Sequence, residues 1–303
     1  HALAMKNWAE SKRLDPTRAV LDAEMGKAWL HIKNDPQHAL VAFREGVKND
    51  AQNEDVYDGL DKAMSLTGVS AKERAAALAL YPSASTMPPN LVYQLALTQA
   101  EAGQYDQALA LFQGRFFPSA ESGVSADQVQ FEIRLMQAQF EASSGRCSAV
   151  EEFLKAEHPG LVLNGTVSRS YLQMSAIAKS CRNLPLSKQL LQKAAGSTAA
   201  GDAAWAIKAQ TLLGNRDVAQ QQKTLKAALD AAERMTLTSA YTGWWWYNAG
   251  SLRAALNQNA EAQVDFRKAI LFPDSMMSHH LSRVAMAESS KSHASATAVG
   301  ARP

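Results

Sequence analysis

The sequence predicts an all-α fold: an α-solenoid of about seven antiparallel helical hairpins, coiled as a right-handed superhelix and closed by a capping helix. Three observations predict it. A small residue followed four positions later by a large apolar one recurs along the chain at one or two hairpin lengths. Runs that alternate apolar and polar residues are scarce, as are runs rich in Val, Ile and Thr, which argues against sheets. Glycine and proline are sparse and fall at intervals, where helices would end. A repeat array also suits 303 residues, more than a usual single core, because each repeat packs only on its neighbours.

The clearest unit is Asn90 to Phe117, NLVYQLALTQAEAGQYDQALALFQGRFF. Leu95 and Ala96 lie mid-helix, Gly103 turns the chain, and Tyr105, Ala108, Leu109 and Phe112 follow. Ala108 and Phe112 put a notch and a knob on one helix face. This unit resembles the tetratricopeptide repeat, in which a small residue on the first helix lets the second approach. The spacing recurs at Ala39, Leu40 and Phe43, at Ala149, Val150 and Phe153 after Gly145, at Ser187, Leu191 and Ala194, more loosely at Leu225 and Ala228, and at Ala262, Phe266 and Ala269. Tyr57, Leu60, Met64 and Gly68 supply the hairpin that the first gap demands, and Trp205 and Trp246 take the large aromatic position of later first helices. The expected hairpins span 17–49, 53–81, 90–115, 126–156, 166–195, 200–234 and 243–271, with a capping helix near 275–288. Extra length gathers in loops, above all Phe116 to Ala126, a place where solenoids often contact ligands and equally often carry a passive connector.

Longer phrases carry a narrower resemblance. EDVYDGLDKAMSLTG, ALALYPSASTMPPNLVYQLALTQAEAGQYDQALALFQGRFFP, SADQVQFEIRLMQAQFEASSGRC and FRKAILFPDSMMSHHLSR are similar to the C-terminal tetratricopeptide region of a group of large bacterial proteins. The N-terminal half of those proteins is an uncharacterised β-rich domain reminiscent of sugar-handling β-sandwiches. The likeness covers most of residues 16–195. It implies a bacterial origin and attachment to a larger polypeptide, whose N-terminal domain would then be a partner of this one.

Three regions are expected: 1–15, a tag remnant and an N-terminal helix; 16–288, the repeat domain; and 289–303, a small, polar tail too poor in apolar area to order. Net charge is +2 with no basic stripe, so a nucleic-acid partner is not expected. No run of 18 apolar residues would span a membrane. The cytoplasm is the favoured compartment, with the periplasm or secretion left open if a native signal peptide was removed. Cys147 and Cys181 are no disulfide framework; two unpaired thiols are favoured over one bridge between adjacent repeats.

Phosphate loops, HExxH, CxxC and Gly-x-Ser-x-Gly are all missing, so no cofactor, metal or catalytic residue is expected. His279 and His280 point about 100° apart on a helix and would not converge on an ion. Asn164-Gly165-Thr166 reads as a chance sequon. Gly243-Trp244-Trp245-Trp246-Tyr247 is the most unusual stretch. Register places Trp246 in the hairpin core, Trp245 toward a neighbouring repeat, and Trp244 with Tyr247 on the inner groove. There they either form a binding hot spot or are buried by the next repeat. The same register puts Asn90, Tyr93, Phe131, Arg134, Arg169 and Lys179 on the groove, the last three as a basic patch able to clamp a peptide carboxylate. The leading function is a non-catalytic scaffold that holds a protein or peptide in its concave groove. The alternative is an accessory or oligomerisation region of a larger carbohydrate-active enzyme. Exposed aromatics near the C-terminal end also admit a homodimer.

Overall fold

The computed structural model describes residues 2–117, 124–156, 158, 167–239, 242–272 and 277–288; among them helices are the regular elements and no strand occurs. The loop 118–123, the sequon Asn164 and the tail 289–303 lie outside the described residues. The chain divides into two compact units, His1–Phe116 and Phe117–Pro303. The division falls at the loop whose extra length the sequence marks.

Unit 1 opens with α1 (Ala2–Leu14) and continues as three hairpins: α2 (Ala19–His31) with α3 (Pro36–Asn49), α4 (Glu54–Leu66) with α5 (Ala71–Leu78), and α6 (Pro89–Glu101) with α7 (Tyr105–Ala110). Unit 2 holds four: α8 (Ala126–Ser143) with α9 (Ser148–Lys155), α10 (Val167–Ser180) with α11 (Leu184–Ala195), α12 (Ala203–Leu212) with α13 (Val218–Thr238), and α14 (Thr242–Ala255) with α15 (Asn259–Leu271). A last helix, α16, runs over 277–288. Each first helix packs on its own partner, and in each unit on the first helix of the next hairpin: α2 on α4, α4 on α6, α8 on α10, α10 on α12 and α12 on α14. This is the all-α, tetratricopeptide-like hairpin array that the spacing predicts.

Local chemistry sets the helix ends. Asp35 accepts from the backbone N–H of His38 at 3.1 Å, and Pro36 sits in the first turn of α3, where a missing N–H costs nothing. Ser70 with Glu73 and Ser125 with Gln128 form reciprocal capping boxes on α5 and α8. Between the two helices of every hairpin stands one residue with positive φ: Asn34, Gly68, Gly103, Gly145, Arg182, Gly214 and Asn257. Gly103 and Gly145 adopt this backbone freely, whereas Arg182 carries a steric cost of about 1 kcal/mol there.

Knob and notch explain the packing. Phe43 is wholly buried between α2 and α4. A Cβ at Gly26 would stand 2.6 Å from its ring and one at Gly59 2.2 Å, so only glycine lets both helices close on it. Gly250 and Phe266 repeat the device in the last hairpin, at 2.6 Å. Burying such a ring contributes about 2–3 kcal/mol.

Two expectations are corrected. Tyr247, not Trp246, fills the fully buried place against Phe266, with ring centroids 6.1 Å apart. Trp246 is half-buried under the Lys268 ammonium, 3.8 Å from its ring centre. The aromatic run is one position out of register because Tyr247 shares its helix face with the buried Gly250 and Ser251, three and four residues on. Trp245 does face the preceding hairpin, packing with Ile207, Leu225 and Leu252. The second correction concerns the cysteines, which are not free: Cys147 and Cys181 are joined, with Cα atoms 5.4 Å apart.

Candidate partner-binding cleft

The inner side of unit 2 is built on an ion pair. Glu132 on α8 and Arg169 on α10 are both buried, and each terminal guanidinium nitrogen of Arg169 donates to one Glu132 oxygen at 2.9 Å. Burial alone would push the Glu132 carboxyl up. The Arg169 charge overrides it and, with His280 Nε2 at 3.4 Å, holds it well below the usual carboxylate range. Arg169 keeps its proton for the same reason, since Glu132 outweighs its desolvation. Burial also pushes the neighbouring Tyr247 hydroxyl up to about 12.

His280 belongs to α16, whose residues Ser278 to Ser282 are buried. Leu281 packs with Tyr247, Ala262, Phe266 and Ala269, and Met277, Ala285 and Met286 flank the same cluster. The closing helix therefore covers the inner groove of unit 2 from α14 to Glu132 on α8. The adjacent histidines are structural: His280 faces Glu132, and His279 Nε2 meets the Phe272 carbonyl.

Beside α16 a cleft of about 330 Å³ stays open. Leu172, Leu191, Trp205, Leu281 and Val284 give it apolar walls, and Lys179, Lys208 and Glu288 stand among its lining residues. The Lys208 ammonium lies 5.8 Å from the Trp205 ring centre. Lys179 and Lys208 are exposed, and among the described residues neither has an ion-pair partner. Gln173, also lining the cleft, has its Oε1 buried without a donor. Ser175 donates to the Ser187 carbonyl at 2.8 Å. The arrangement offers a hydrophobic slot and two ammonium groups for an anion.

Of the residues that the sequence singles out, Arg169, Lys179 and Tyr247 line this cleft. Lys179 alone of the three is exposed, so the expected patch of Arg134, Arg169 and Lys179 is not an exposed one: Glu132 neutralises Arg169. Arg134 is exposed on α8. Trp244 is half-buried, 5.4 Å from Tyr247. Phe131 is half-buried against Phe153 and His158 at 5.8 and 4.9 Å. Asn90 is exposed at the start of α6 in unit 1, where Tyr93 is buried and stacks on Phe112 at 6.1 Å. Trp205, read only as a repeat aromatic, and Lys208, not read at all, are the cleft residues that sequence reasoning missed. Their i, i+3 spacing was the available signal, since it puts cation and ring on one helix face.

No helix among the described residues is long and apolar enough to cross a membrane, and no group of three or more metal-binding side chains occurs among them. No protein-family model matches the sequence, and no curated protein matches it. Among solved structures, a tetratricopeptide repeat protein from Parabacteroides merdae ATCC 43184 is 13% identical over 93% of this chain and 91% of that one, with a TM-score of 0.38. The Chs5–Bch1 exomer cargo adaptor complex is 10% identical over 85% of this chain and 51% of that one, with a TM-score of 0.31. These similarities are distant, and the chain's own helices and turns define it as an all-α array of tetratricopeptide-like hairpins.

Proposed function

We propose that this chain is a non-catalytic scaffold that holds a protein partner, and that the cleft between α10, α12 and α16 receives a peptide segment of that partner. The carrying observation is the combination of an apolar slot with two lysines, Lys179 and Lys208, that have no ion-pair partner among the described residues and stand around Trp205. Such a slot suits a bulky apolar side chain next to a carboxylate. Trp205 is half-buried, and a tryptophan that a partner would finish burying is a common anchor of a protein interface. The non-catalytic reading rests on the lining serine hydroxyls being committed to one another: Ser175 donates to the Ser187 carbonyl at 2.8 Å, and no histidine stands among the lining residues to activate either serine.

The test is a random peptide library displayed on phage and panned on the chain, with Trp205→Ala as counter-selection. Enrichment of acidic–apolar peptides on the wild type alone supports the reading. Enrichment of the same peptides on both proteins, or of none, rejects it.

A further inference from the structure

We propose that this chain works in an oxidising compartment, where the Cys147–Cys181 bond clamps the α10 wall of the cleft. The chain has two cysteines, and they stand at the inter-helix turns of consecutive hairpins. Cys147 caps α9 two residues after the left-handed Gly145; Cys181 follows α10, one residue before the left-handed Arg182. The repeat brings these two turns side by side across 34 residues, at a Cα separation that a disulfide spans without moving the backbone. Protein disulfides persist in oxidising compartments, whereas the cytosol keeps thiols reduced. That sets the proposal against the cytoplasmic expectation from sequence.

Forming the bond removes two protons and two electrons from the thiols. The acceptor is the disulfide of an oxidising thiol-exchange protein or of oxidised glutathione, which leaves as two thiols. Both cysteines are half-buried, so an exchange partner reaches them.

The bond has a second consequence. Near its start α10 is fastened to α8 by Arg169 on Glu132, and just past its end it is fastened to the turn after α8 by Cys181 on Cys147. Lys179, in the cleft wall, lies two residues from the bond. Reduction frees that end and leaves the Arg169 end in place. This holds whether or not a peptide occupies the cleft.

Two measurements test the proposal. Cells that make the protein naturally are quenched in acid and alkylated with iodoacetamide, and the digest is weighed. A linked Cys147–Cys181 peptide pair without alkyl groups is expected; alkylation of both cysteines overturns the compartment assignment. Hydrogen exchange of the full chain is then compared before and after reduction by a phosphine, and in Cys147→Ser/Cys181→Ser. Amides in the last two turns of α10 are expected to exchange on the order of tenfold faster in both reduced states, with α4 unchanged. Equal exchange in α10 overturns the clamp.

Discussion

Arg169 and Glu132, 37 residues apart in sequence, form a bidentate ion pair in the interior of unit 2 and join two hairpins there. Removing one partner leaves the other charge buried and uncompensated. Arg169→Met should cost about 3–5 kcal/mol at neutral pH, whereas Arg169→Met with Glu132→Leu should regain most of it. Urea unfolding followed by circular dichroism checks both values. A double variant as unstable as the single one would mean that the ion pair does more than neutralise itself.

The same pair sets a pH dependence. The folded pKa of Glu132 lies below its unfolded value of 4.5, so the pair's stabilisation is present above that value and fades as pH falls through the folded pKa. Asp202 and Asp265, which burial pushes up, act in the opposite sense. The informative quantity is therefore a difference. The melting temperature of wild type minus that of the double variant should shrink steadily between pH 5 and pH 2. A constant difference over that range would refute the assignment.

The disulfide closes a stretch of 34 residues. Chain entropy alone gives it about 3.5–4 kcal/mol of stabilisation at 25 °C. Cys147→Ser/Cys181→Ser should lose an amount of that order in urea unfolding, and adding a reductant to the double variant should change nothing further.

Glycines at notches and glycines at turns should respond differently to alanine. Gly59→Ala and Gly250→Ala place a Cβ into Phe43 and Phe266 and should cost about 1–3 kcal/mol through overpacking. Gly103→Ala meets nothing within 4 Å, and its cost, about 1 kcal/mol, comes from backbone strain at φ 78°. Arg182→Gly, which relieves that strain, should be neutral or stabilising by up to about 1 kcal/mol. Thermal unfolding of the four variants separates the two causes.

The hairpins were legible because notch, knob and turn residue are local: Ala108 with Phe112 and Gly103 mark one without any long-range information. Asn34, Arg182 and Asn257 fill the same left-handed turn without being glycine, which hid three turns from a glycine-based reading. The site was less legible. A charged residue at a groove position reads as exposed unless its partner is known, and the partner of Arg169 lies on another hairpin. What covers the groove, α16, is set by packing over more than 140 residues, from Glu132 to His280. The run of Trp244, Trp245 and Trp246 drew the register onto Trp246, whereas the core place fell to the next residue, Tyr247. The cysteine pairing had a signal in their places at the turns of successive hairpins, but low cysteine count outweighed it.

The most direct test of the central claim is the affinity of one library-selected acidic–apolar peptide, read by fluorescence anisotropy, for wild type, Trp205→Ala, Lys179→Gln/Lys208→Gln and Arg134→Gln. The account predicts a loss of about tenfold or more with Trp205→Ala. It predicts a smaller loss with the lysine pair, one that vanishes at high salt, and no change with Arg134→Gln. Equal affinity for all four proteins would contradict it and place the binding surface outside the cleft.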